Sequence, residues 1–125
     1  MIRNILLVGL GGSVGSILRY LCQKWIYYLY PHPFPWATFV VNISGCLLIG
    51  ILFGIGEKTS ALSPEWRLLL ITGFCGGFTT FSTFAYENMM LLRSGDITYF
   101  LLYTILSVVL GVAGVLGGVA LVKLI

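Results

Sequence analysis

The chain has 125 residues, 58% of them hydrophobic and only 9% charged, with a formal net charge of +3 and a mean hydropathy of +1.01. A soluble domain carries about 25% charged residues, so this chain cannot cover itself in water, and its few scattered basic residues exclude a nucleic-acid face. The length fits a single domain, residues 1–125, embedded in a membrane.

Four spans follow from the charges and turn residues, since a span needs about 20 apolar residues. The first is expected over 4–30. Its apolar start, 4–18, is too short to cross unaided, so the helix must run on past Arg19 and Lys24, with Lys24 snorkelling toward the interface. No A-x-A-like cleavage site follows and three more apolar segments do, so this segment is expected to stay in the mature protein. Its glycines, Gly9, Gly11 and Gly15, approach a dinucleotide-binding fingerprint, but the spacing is G-x-G-x-x-x-G. The next acidic residue is Glu57, far beyond the position that would hold a ribose. Small residues that let helices approach closely are the simpler reading. The same spacing recurs at Gly50 and Gly54 and at Gly114 and Gly118, and all three predict tightly packed helices in an oligomer, since four short helices alone enclose little interior.

The segment YPHPFPW, 30–36, cannot continue a helix because Pro31, Pro33 and Pro35 interrupt it. His32 lies there, the only histidine, and is expected at a solvated surface. The second span is expected over 36–56. The polar stretch EKTSALSPEWR, 57–67, ends with Ser63 as an N-cap and Pro64 at the first helical position. The third span is expected over 66–92, the turn RSGD at 93–96, and the fourth span over 97–123. Cys22, Cys46 and Cys75 all fall in apolar segments, without the spacing of a disulfide or metal framework, and read as small buried hydrophobes.

Four spans put both termini on one side. That side holds Arg3, Lys58, Arg67 and Lys123; the other holds Arg19, Lys24 and Arg93. So even a balance gives no orientation by the positive-inside rule. Either a partner decides the orientation, or the chain inserts both ways and an up copy pairs with a down copy.

No span has a central acid, and Glu87 is expected at the far, interfacial end of the third. No Ser-His-Asp or His-Cys arrangement supports an enzyme. What remains are neutral hydrogen-bonding groups. Thr38, Asn42 and Gly45 share one face of the second span; Tyr103, Ser107, Gly111, Gly114 and Gly118 share one of the fourth. Hydroxyls alone would read as glue between helices. The mid-membrane amide of Asn42 has two donors that need partners, and a row of uncharged donors suits weak, releasable binding of a small anion.

The segment GFCGGFTTFSTF, 73–84, is the most unusual. Gly76-Gly77 followed by Thr79-Thr80 is a poor helix interior, which predicts a break near Gly76–Thr80. A break frees carbonyls, which can hold a cation, and N–H groups, which favour an anion. Phe81 and Phe84 follow at i, i+3, and the positive edges of their rings could face an anion where fixed charge is absent.

Three segments carry a family resemblance over nearly the whole length. GGSVGSILRY (11–20), ATFVVNISGCLLIG (37–50) and, most specifically, GFCGGFTTFSTF resemble the span motifs of the CrcB/Fluc fluoride channels of microbial membranes. Ser16 and Ala37 stand where other small residues are expected. The resemblance implies an all-α, four-helix subunit in the inner cell membrane that forms an antiparallel, dual-topology homodimer. It implies passive, selective export of fluoride and a structural sodium ion at the dimer centre, held by the backbone carbonyls of Gly76 and Thr79 from both copies. It also implies an anion path along Phe81 and Phe84, with donors from Asn42, Tyr103, Ser107, Thr80, Ser82 and Thr83, and with Arg19 concentrating anions near a pore mouth. The competing expectation is a small dual-topology, proton-coupled multidrug exporter, which requires an acid in the middle of the first span that this chain lacks. A third is an accessory membrane subunit, which would need none of the Thr, Phe and Asn constellation.

Overall fold

The computed structural model describes residues 1–125 and contains only helices and connecting turns. Four helical segments are long and apolar enough to cross a membrane: Ile2–Leu29, Trp36–Lys58, Pro64–Arg93 and Ile97–Leu124. We call them the first to fourth spans.

Close approach organises the bundle in two pairs. The second and fourth spans lie along each other. A Cβ at Gly50 would strike the Val115 carbonyl, one at Gly118 the Leu47 carbonyl, and one at Gly54 the Val122 side chain at 3.0 Å. The first span packs on the first half of the third. Gly11 and Gly15 are its only buried residues, and at each of them a Cβ would run into third-span backbone. All three small-residue pairs, expected to pack helices in an oligomer, make their close contacts inside one subunit.

The connections follow their sequences. In the proline-rich loop Phe34 turns inward, 5% exposed, and packs with Leu91 and Tyr103. Ser63 caps the third span, its Oγ accepting from the Trp66 N–H at 3.3 Å, with Pro64 next. Beyond the third span, Gly95 takes φ 81°, a conformation that excludes most side chains. At the other end of the bundle, the Lys58 ammonium donates to the Val122 carbonyl at 3.1 Å, satisfying an acceptor near the end of the fourth span.

The third span is irregular. After one α-helical turn, Leu68–Cys75 winds as a π-helix, a rare, wide form that is frequent at functional sites. Gly76–Phe78 returns to α-helix. Thr79 (φ −87°, ψ 156°) and Thr80 (φ −148°, ψ 118°) are extended, and helix resumes over Phe81–Arg93. The break thus falls at the end of the expected stretch. Gly76 and Gly77 stay helical because Gly77 serves contact: a Cβ there would meet Gly12 of the first span.

Candidate functional site

Extended backbone at membrane depth must satisfy its polar groups by other means. Asn42 does this from the second span. Its Nδ2 donates to the Thr80 carbonyl at 3.0 Å, and its Oδ1 accepts from the Thr80 N–H at 2.8 Å. One side-chain amide thereby replaces both main-chain bonds that Thr80 would have made in a helix, and one Nδ2 hydrogen is left over.

Thr80 also caps the second half-helix, its Oγ1 accepting from the Thr83 N–H at 3.2 Å. The same hydroxyl donates to Thr83 Oγ1 at 3.1 Å and lies 3.3 Å from Ser82 Oγ. On the other side of the break, Thr79 sends both its N–H (3.0 Å) and its hydroxyl (2.9 Å) to the Cys75 carbonyl. Arg19 of the first span donates through Nε to the Gly77 carbonyl at 3.0 Å, so its guanidinium sits at the break. The carbonyls of Gly76 and Thr79 accept no hydrogen bond from backbone or side chain.

A cavity of about 270 Å³ opens at the break. Asn42, Thr79, Thr80, Phe81, Phe84 and Ser107 are among its lining residues, and none of its lining carries charge. Ser107 Oγ is buried without a partner. The break separates the four phenylalanines into two pairs. Phe74 and Phe78 stack at 5.9 Å and 7° before it; Phe81 and Phe84 meet at 5.7 Å and 44° after it. Phe84 rests against Tyr103 at 4.9 Å, whereas Phe81 is 78% exposed on the subunit surface. Gly45 faces this region closely: a Cβ there would collide with the Thr79 side chain and come within 3.3 Å of the Phe78 ring.

A second polar centre surrounds Glu87. Its Oε1 accepts from the Tyr103 hydroxyl at 2.8 Å, and its Oε2 accepts from Thr38 at 3.0 Å and Tyr27 at 3.1 Å. Gln23 donates in turn to Thr38 Oγ1 at 3.0 Å. Thr38 and Tyr103 are fully buried. Glu87, expected only at an interface, is therefore the acceptor on which three spans converge. A signal for this is present in the sequence. Each span carries, among its polar i, i+4 pairs, one with a member in this centre: Gln23 and Tyr27, Thr38 and Asn42, Thr83 and Glu87, Tyr103 and Ser107. Such pairs share a helix face, and among these residues Gln23, Tyr27 and Glu87 have no site role in the sequence reading. The residues expected along one path separate accordingly. Asn42, Thr80, Phe81, Phe84 and Ser107 share the cavity. Tyr103 donates its hydrogen bond to Glu87, Ser82 and Thr83 join through Thr80, and Arg19 approaches from the far side of the break.

Comparison with known proteins places this geometry. A family model described as CrcB-like protein, Camphor Resistance (CrcB), matches residues 6–119. A protein of Leptospira interrogans named "Fluoride-specific ion channel FluC" is 44% identical over 121 residues, covering 97% of this chain and 95% of its own length. A protein of the same name from Flavobacterium psychrophilum is 49% identical over 121 residues, 97% and 98% of the two chains. Another, from Chlorobaculum tepidum, is 48% identical over 124 residues, 99% and 98%.

Proposed function

The chain belongs to the CrcB-like family, and from that premise we propose that it is a fluoride channel and no enzyme, passing the anion down its gradient and out of the cell across the inner membrane. The observation that carries the reading is the uncharged cavity at the break, where hydroxyls, an amide and a phenylalanine pair converge.

Fluoride is small and strongly hydrated, so a path for it must replace water with close donors. Ser107 offers a buried hydroxyl with no other partner. Asn42 has a free N–H beside the two atoms it spends on Thr80. The hydroxyls of Thr80, Ser82 and Thr83 form a bonded run that can hand an ion along by rotation. The rings of Phe81 and Phe84 contribute positive edges without a charge that would trap the ion.

Two further features belong to the proposal. Sodium, a hard cation, takes oxygen ligands, and the Gly76 and Thr79 carbonyls suit it because no donor in the subunit uses them. No group of His, Cys, Asp or Glu side chains offers an alternative site. When bound, the ion would supply a fixed positive charge beside the anion route. Two carbonyls are too few for a complete shell, which supports a site shared by two copies in an antiparallel dimer. Arg19, already bonded to the Gly77 carbonyl, adds positive potential on the same side of the break.

The test is direct. The purified protein is reconstituted in liposomes loaded with fluoride, and efflux is followed with a fluoride electrode. Rapid efflux that needs only a counter-ion path, and no proton gradient, is expected. Absence of efflux, or its replacement by proton-driven uptake of organic cations, overturns the reading.

A further inference from the structure

His32 has a specific position. Its Nδ1 accepts from the Phe34 backbone N–H at 3.0 Å, which requires a neutral ring with its proton on Nε2. The ring lies flat on Tyr30 (5.5 Å, 6°) and tilts against Tyr99 (5.8 Å, 54°). The bond holds the turn that drives Phe34 into the core, where its ring meets Tyr103 edge-on at 5.5 Å. Tyr103 in turn supports Phe84.

A cavity of about 630 Å³ lies at this end of the bundle. His32 lines it, together with Tyr27 from the first span, Thr83, Tyr86 and Glu87 from the third, and Asp96 before the fourth. Tyr27, Tyr86, Glu87 and Asp96, with Tyr30 and Tyr99, are the titratable groups around the imidazole, and no Lys or Arg lines the cavity. The cavity adjoins the smaller one at the break: Thr83 lines the first, Thr80 the second, and their hydroxyls are 3.1 Å apart. Two carboxylates, those of Glu87 and Asp96, line the larger cavity.

We propose that His32 is a proton-operated latch at the mouth of the anion route, and that its protonation speeds fluoride passage. The proposal rests on the channel reading above. A protonated imidazole has no acceptor, so Phe34 N–H loses its partner and the turn is released. The ring also gains a positive charge in the cavity that Glu87 and Asp96 line, and their repulsion of an entering anion falls.

The experiment measures two quantities between about pH 8 and about pH 5. One is the valinomycin-dependent part of fluoride efflux from proteoliposomes, which leaves out electroneutral leak of hydrogen fluoride. The other is the NMR shift of the Phe34 backbone amide in detergent. Wild-type efflux is expected to rise about threefold as pH falls through this range, with the Phe34 amide shifting over the same interval. His32→Asn keeps an acceptor for the amide two residues on without a titrating charge, and should be flat in both readouts. His32→Arg should give high, flat efflux. A Phe34 amide that does not titrate in wild type overturns the latch. A titrating amide with pH-independent efflux overturns its link to transport, as does a wild-type-like pH profile in His32→Asn. A titrating amide with no fluoride efflux at any pH leaves the latch standing and overturns the channel reading instead.

Discussion

Asn42 and Ser107 line the same cavity and make opposite claims about stability. Asn42 satisfies both main-chain groups of Thr80, so Asn42→Ala strands a donor and an acceptor at the break. It is expected to cost about 1–3 kcal/mol and to lower fluoride flux, measured as loss of thermal stability in detergent and as efflux from liposomes. Ser107 Oγ is buried and unpartnered. Ser107→Ala removes an unsatisfied group, so stability should hold or rise by up to about 1 kcal/mol, while flux falls. A Ser107→Ala protein that is destabilised would mean that the hydroxyl has a structural partner. The sequence marked both residues by their place on helix faces. It assigned Asn42 to the anion alone, because a side chain's partner on another segment is not written in the residue's own neighbourhood. Glu87 was hidden for the same reason: its three donors come from three different spans.

At the scale of elements, four apolar runs separated by prolines, a capped loop and a glycine turn were readable, because length and breakers decide membrane helices. The break was readable to within the stretch Gly76–Thr80, but not its place at the end of that stretch. Gly76-Gly77 looks weakest by propensity, yet Gly77 packs against Gly12 and the chain opens at Thr79 and Thr80, where side chains can stand in for helical bonds. The π-helical turns over Leu68–Cys75 have no sequence signal that we can name. The glycine contacts give a paired prediction. Gly118→Val forces a side chain onto the Leu47 carbonyl and should destabilise the second–fourth pair by about 1–3 kcal/mol. Gly117→Ala meets nothing within 4 Å and should be neutral or stabilise by up to about 1 kcal/mol through helix propensity. Thermal unfolding of the two variants side by side checks the contact, since they differ by one position along the same helix.

For the whole molecule, the one ion pair joins Arg3 to Glu65 at 2.8 Å between exposed side chains, and such pairs contribute little. Stability comes from helix packing and from the two polar centres. Arg and Lys divide four to three between the two ends, which gives no orientation by the positive-inside rule, and the proposed antiparallel dimer requires insertion both ways. A C-terminal cysteine tag on a chain freed of its own cysteines should react with an impermeant reagent from both faces of the membrane. Labelling from one face only would remove the antiparallel arrangement from the proposal. Phe81 and Gly76 at the break are exposed on the subunit surface, as the proposed shared site requires.

The grip of Asn42 on Thr80 has a mechanical consequence. Thr80 is bolted by two bonds to the second span, and the second span is locked onto the fourth, main chain nearly touching main chain. A joint fixed in that way cannot swing. Throughput at the break should then vary with temperature like that of a permanent orifice, with a shallow slope set by ion hopping rather than by a moving part. Any adjustable part of such a device has to lie upstream of the bolt, at the inlet.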